Sequence, residues 1–240
     1  QVAHAVGFTA VVEAAGTTFM ALEDHPYALY FDKDWTAITD GKLIPAMLDP
    51  TNPAYDHFIN VPSLKNHEQV PNTNVDFTCC LKNFVGLITW NGPNSRVGEG
   101  DIHTADLGTK VGEMGRFVPK ITMNVVDALS PVLTNGPAGW VNSSRDVSTG
   151  LSTRTMDLAP EAGLVIASAD RVAADALAFA TLKYFARLHG IDRPYLARPV
   201  GEQSQLKRAA ELGLGTHLLS ALDIVSDNVT ELDAILAEWG

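Results

Sequence analysis

The stretch from Leu164 to Leu188 constrains this chain more than any other. Leu164-Val165-Ile166-Ala167 is a short, largely β-branched apolar run, and Ser168-Ala169-Asp170 then supplies a helix N-cap. The strongest apolar helical segment of the chain follows, to about Leu188, with His189-Gly190 as its stop. A buried strand that feeds directly into a long helix is the repeating element of α/β architecture. Phe58–Val61, closed by Pro62, and Ile121–Val126 share the apolar, β-branched character of the first run. All three are expected as interior strands. The expected fold is therefore α/β, a mostly parallel sheet flanked by helices, in a single domain over 1–240.

Other elements follow from spacing. Phe77, Cys80, Leu81, Phe84, Val85 and Ile88 recur at intervals of three and four, which predicts a helix over Asp76–Ile88. Helical character returns over His103–Phe117, near 201–212 and over 230–239, with a strand expected at 222–225. The segment from Asp24 to Asp56 reads as short strands and turns, and 130–160 as loop.

Composition narrows the function. Hydrophobic residues make up 46% and charged residues 19%, which excludes a disordered chain. No apolar run approaches the roughly 20 residues of a membrane helix, so no membrane partner is expected. A net charge of −11 gives no attraction to phosphate backbones and argues against nucleic acid. Much of that charge lies in the first sixty residues, where eight acids face only Lys33 and Lys42. Residues 1–54 thus read as an acidic, irregular lead-in. The only cysteines, Cys79 and Cys80, are adjacent, so four-thiolate spacing is absent and no iron–sulfur cluster is expected in this chain. They are expected as buried, inert thiols. The opening Gln1-Val2-Ala3-His4 lacks an initiator Met and a signal pattern, and leaves the compartment open.

The chemistry-bearing residues concentrate between His57 and Asn83. Lys65 and His67 lie two apart and share a face in extended chain, and Lys82-Asn83 follows. Lysine offers a point charge to an anion, asparagine both a donor and an acceptor, and histidine a proton relay or metal ligand. Asp127 ends the run Val125-Val126, where a carboxylate needs a partner or a cleft. His103 follows a Gly-rich stretch. On spacing alone, Lys65 and Lys82 also read as surface lysines, His67 as a loop residue and His103 as a helix-start residue. Asp170 reads first as an N-cap, and Asp175, within an apolar helix face, requires a partner. Nucleotide-binding glycine motifs, the G-x-S-x-G elbow and the H-E-x-x-H zinc helix are all missing.

Taken in order, Ile59-Asn60-Val61-Pro62-Ser63-Leu64-Lys65-Asn66-His67, Leu81-Lys82-Asn83-Phe84-Val85-Gly86, His103, Val125-Val126-Asp127, Asn135-Gly136-Pro137-Ala138-Gly139 and Ala167–Asp175 resemble the family called domain of unknown function 362. The resemblance covers about residues 55–226. Members of that family are often fused to ferredoxin-like iron–sulfur segments, and they usually begin with an α/β unit carrying Lys-Pro-Asn. That tripeptide does not occur here, and the chain is expected to be the carboxyl-terminal part of a longer protein or a divergent member. The resemblance implies a shared fold and a polar cleft. An enzyme is the first expectation, with an anionic small molecule held by Lys65, Lys82, Asn83 and Asp127. His67, His103, Lys65 and Lys82 would carry the chemistry, and His67, His103 and Asp127 would hold any divalent metal. The alternative is a non-catalytic redox-partner or assembly module associated with iron–sulfur proteins. A companion polypeptide or a second copy of the chain is the expected macromolecular partner.

Overall fold

The computed structural model describes residues 8–20, 26–67, 75–88, 106–118, 121–134, 142–145, 152–155 and 159–240. Helix α1 (Phe8–Ala14) precedes an antiparallel pair, β1 (Tyr27–Tyr30) and β2 (Lys42–Pro45). The central sheet contains β3 (Ile59–Asn60), β4 (Ser63–Asn66), β5 (Phe77–Thr78), β6 (Met123–Val132) and β9 (Leu164–Ser168). Helix α2 (Leu107–Met114) lies on the connection from β5 to β6. A separate hairpin, β7 (Asn142–Arg145) with β8 (Ser152–Thr155), lies on the connection from β6 to β9. Helices α3 (Arg171–Leu188), α4 (Ser204–Glu211) and α5 (Leu232–Ala237) follow.

The fold is α/β, with a mixed sheet flanked by helices. Ile59 pairs with Met123 and Ser63 with Asp127, both parallel, so β3 and β4 lie end to end along one edge of β6. They form one strand interrupted at Val61-Pro62, where proline has no N–H to give the ladder. On the other edge of β6, β9 runs antiparallel, from Asn124↔Ser168 to Ala128↔Leu164. All three expected strands thus share one sheet, but β9 is reversed. Its connection contains a hairpin and no described helix, and a parallel return needs a crossover. Among the described residues β3 and β9 each have a neighbouring strand on one side only, so of the three β6 alone is interior as expected.

Alternation sets the two faces of the sheet. Asn124, Val126, Ala128 and Ile166 are buried, while Ile59, Met123, Leu129 and Val165 on the opposite side are exposed. Helix α3 supplies much of the core, with Val172, Ala176, Phe179 and Leu182 fully buried. Phe179 stacks on Phe77 of β5 with centroids 4.9 Å apart. The α3 N-terminus is capped as its sequence demands: Asp170 Oδ1 accepts the N–H groups of Val172 and Ala173 at 2.7 and 2.8 Å. Its other oxygen accepts the N–H of Thr216 at 2.8 Å. A Cβ at Gly215, whose φ is +147°, would lie 1.8 Å from Asp170 Oδ1, so only glycine fits there.

Two buried charges tie the helices to their surroundings. The Glu113 carboxylate of α2 accepts the N–H groups of Thr36, Ala37 and Ile38 and pairs with Arg208 of α4 at 2.9 Å. The Lys183 ammonium of α3 donates to the carbonyls of Arg198, Glu238 and Gly240. Each replaces the lost hydration of its charge with several hydrogen bonds.

Further expectations are corrected, the first being that 130–160 is loop: it contains the end of β6 and the β7–β8 hairpin. Asp76–Ile88 is not one helix: Phe77-Thr78 joins β4 as a strand, a turn follows, and a 3-10 helix covers Lys82–Leu87. A 3-10 turn brings residues three apart together, so the same apolar stripe serves it. Residues 222–225 carry no regular structure and join no ladder. No described helix is long and apolar enough to cross a membrane.

Candidate functional site

The site begins with the turn that joins β5 to the 3-10 helix. Asp175, fully buried on α3, accepts the backbone N–H of Cys80 at 2.6 Å and of Leu81 at 3.1 Å. From the other side, the Asn60 amide donates to the Cys80 carbonyl at 3.2 Å. Asn60 also donates to Asn124 Oδ1 at 3.1 Å, and Asn124 donates to the Ser168 carbonyl at 3.1 Å. Asn83 Nδ2 completes the chain by donating to Asn60 Oδ1 at 2.7 Å. A line of amides therefore runs from the 3-10 helix through β3 and β6 to β9. Buried amides engaged on several sides rigidify what they connect, and here they fix the backbone on both sides of Lys82.

Lys82 is 7% exposed. Among the described residues, no hydrogen bond or ion pair meets its ammonium. Burial pushes its pKa down to about 8, and the charge of Lys65 pushes it the same way. The register that pairs Lys65 with Thr78, four residues before Lys82, brings the two lysines into each other's field. Lys65 is half-buried on β4 and also has no ion-pair partner among the described residues.

A cavity of about 450 Å³ opens beside Lys65, lined also by Ser63, Asp127, Leu129, Ser130 and Val132. Asp127 does not end its strand as expected; β6 runs on to Val132 and places Asp127 at mid-strand, on the exposed face. Its Oδ1 accepts the N–H of Leu129 at 3.1 Å, and Ser63 Oγ lies 3.4 Å from Oδ2. The structure thus brings Lys65 together with Asp127 in one cavity and with Lys82 through its field. Asn83 braces Asn60, and His67 is buried, with its backbone N–H donating to the Asp76 carbonyl at 2.8 Å. His103 and Asn135–Gly139 lie outside the described residues.

Among the described residues, the group of three or more metal-capable side chains that converges is Cys79, Cys80 and Asp175, and it includes neither His67 nor Asp127. Its carboxylate is occupied by the two backbone N–H groups of the turn. Burial raises the Cys79 thiol to about 11 and drives Cys80 well above the ordinary value, so both are neutral, buried thiols.

The model of the family described as "Domain of unknown function (DUF362)" matches residues 1–180, three quarters of the chain. The chain belongs to the DUF362 family. No curated protein and no solved structure matches it. The match reaches back over the acidic lead-in, well before residue 55, and stops inside α3, which leaves α4 and α5 of this DUF362 chain outside it.

Sequence reasoning missed the amide line and the role of Asp175. A signal existed for the first: Asn60 and Asn124 each interrupt a β-branched apolar run, and a polar amide on a buried strand face must be satisfied there. The partners of Asp175 lie 95 and 94 residues earlier, and no local pattern announces such a contact.

Proposed function

We propose that this DUF362 chain binds an anionic small molecule between Lys65 and Lys82, and that it acts on that molecule as an enzyme with Lys82 as its proton-exchanging group. The observation that carries this reading is the Lys82 ammonium, buried beside a second lysine without a partner among the described residues. Two like charges in a desolvated place are stabilised by a counter-anion. A carboxylate or phosphate supplies it, while Ser63 and Asp127 line the adjoining cavity and can orient a polar substituent. A lysine brought near neutral pH both takes up and releases a proton, the property general acid–base chemistry requires.

Calorimetric titration with inorganic phosphate and with malonate tests the reading. Saturable binding is expected for one of the two, weakened about tenfold or more in Lys65→Met and in Lys82→Met. Equal affinity in all three proteins, or no binding of either anion, overturns it.

A second observation favours the assembly reading. Ile59, Val61, Met123, Leu129 and Val165 are between 42% and 63% exposed on one side of the sheet, and large apolar side chains gathered on one face mark interaction sites. An assembly role predicts that Val61→Lys with Val165→Lys abolishes association without altering anion binding; sedimentation velocity distinguishes the two.

A further inference from the structure

A second cavity, of about 480 Å³, lies away from the lysines, between the outer edge of β9 and the stretch 221–227. All five residues of β9 line it, which places the opening along the edge of the strand. Leu177 and Ile235 line it together with Leu222 and Ile224, and Asp223 and Asp227 line it from the stretch opposite β9. We propose that this groove receives an extended, basic peptide segment of another polypeptide, which adds to the sheet as a strand beside β9.

Three observations carry the proposal. First, β9 pairs with β6 on one side only, and no backbone hydrogen bond joins its other edge to any described residue. An edge strand's unspent N–H and C=O groups form a template for one more strand, and recognition through the main chain uses them. Second, residues 223–227 line the groove in irregular or bent chain without a backbone hydrogen bond to a described residue, and Val225 is 87% exposed. The stretch that sequence alone marks as a strand is thus held apart from β9 by the width of the groove. Third, the groove has a sign. Asp170 spends one oxygen on the N–H groups of Val172 and Ala173 and the other on that of Thr216, but no hydrogen bond or ion pair engages Asp223 or Asp227 among the described residues. A strand with alternating apolar and basic side chains sets its apolar side on Leu177 and Ile235 and its cations toward those carboxylates. A second copy of this chain is disfavoured as the occupant, because its own charge is −11.

The test uses the full chain and three synthetic heptapeptides: alternating valine and lysine, the same with glutamate for lysine, and the lysine peptide N-methylated at alternate residues. Fluorescence anisotropy measures affinity, and amide hydrogen exchange followed by mass spectrometry reads Leu164–Ser168. Expected are binding of the lysine peptide about tenfold or more tighter than the glutamate peptide, slowed exchange in β9 on its addition, and loss of both on N-methylation. The double variant Asp223→Asn with Asp227→Asn should weaken binding several-fold with an unchanged circular dichroism spectrum. Equal binding of the lysine and glutamate peptides, or unaltered β9 exchange at saturating peptide, overturns the proposal. Exchange in β9 already fully protected without peptide shows that this chain or a second copy fills the groove, and overturns it equally.

Discussion

The carboxylate of Asp175 accepts the backbone N–H of Cys80 across 95 residues of sequence, at 2.6 Å. A side chain in the second turn of α3 thereby fixes the turn from which Lys82 emerges. Burial raises the Asp175 pKa to about 6, while hydrogen bonds from Leu81, Cys80 and Cys79 oppose the rise.

Asp175→Asn should destabilise the protein at pH 7 by about 1 to 3 kcal/mol, because the amide turns a donor toward one of the two backbone N–H groups. The pH dependence carries a sign. A carboxyl whose folded pKa exceeds its unfolded one favours the folded state most below the unfolded value, and that contribution is lost as pH rises through about 6. Urea denaturation between pH 4 and 7 should show this decline in the parent chain and not in Asp175→Asn. Identical pH profiles would contradict it.

Lys82→Met should stabilise the ligand-free protein at pH 7, by about 1 to 3 kcal/mol, since it removes a desolvated charge. Between the folded pKa of about 8 and the ordinary value of 10.5, the unfolded chain holds more protons than the folded one. Parent stability therefore rises with pH across that window, and the variant lacks the rise. A variant less stable than the parent at pH 7 would count against an unpartnered Lys82.

Lys65→Met should shift the Lys82 titration upward, because one of the two causes that depress it is gone. Carbon-13 resonances of reductively methylated lysines report this directly. Burial remains in the variant, so the titration should stay below that of an ordinary lysine. No movement would mean that the two charges do not share a field.

Gly215→Ala should cost about 2 kcal/mol or more, since its Cβ would occupy the place of an Asp170 oxygen. Release of the cap should speed hydrogen exchange at Val172 and Ala173 before the rest of α3. Unchanged exchange at those two amides would show that the cap survives.

Much of the fold was legible in the chain because its causes are local. Asp170 announces the start of α3, and the β-branched runs announce the strands. The direction of β9 was not legible, since it depends on how 133–163 returns and not on the run itself. The lysine pair was legible as composition and spacing. What holds it was legible only in part, because Asn60, Asn124 and Asp175 act on a turn distant in sequence and their effect appears after folding.

Between Ser63 and Lys65 the ladder with β6 jumps from Asp127 to Val132, so two residues along β4 are matched by five along its partner. The surplus residues of β6 make this stretch a spacer that sets how far Lys65 stands from Asp127. Lengthening or shortening it by a residue would leave the lower part of the ladder in register while resetting the gap between a cation and an anion. The width of this polar cavity is thus adjustable at one point in the chain, by insertion or deletion alone, with every charged side chain kept.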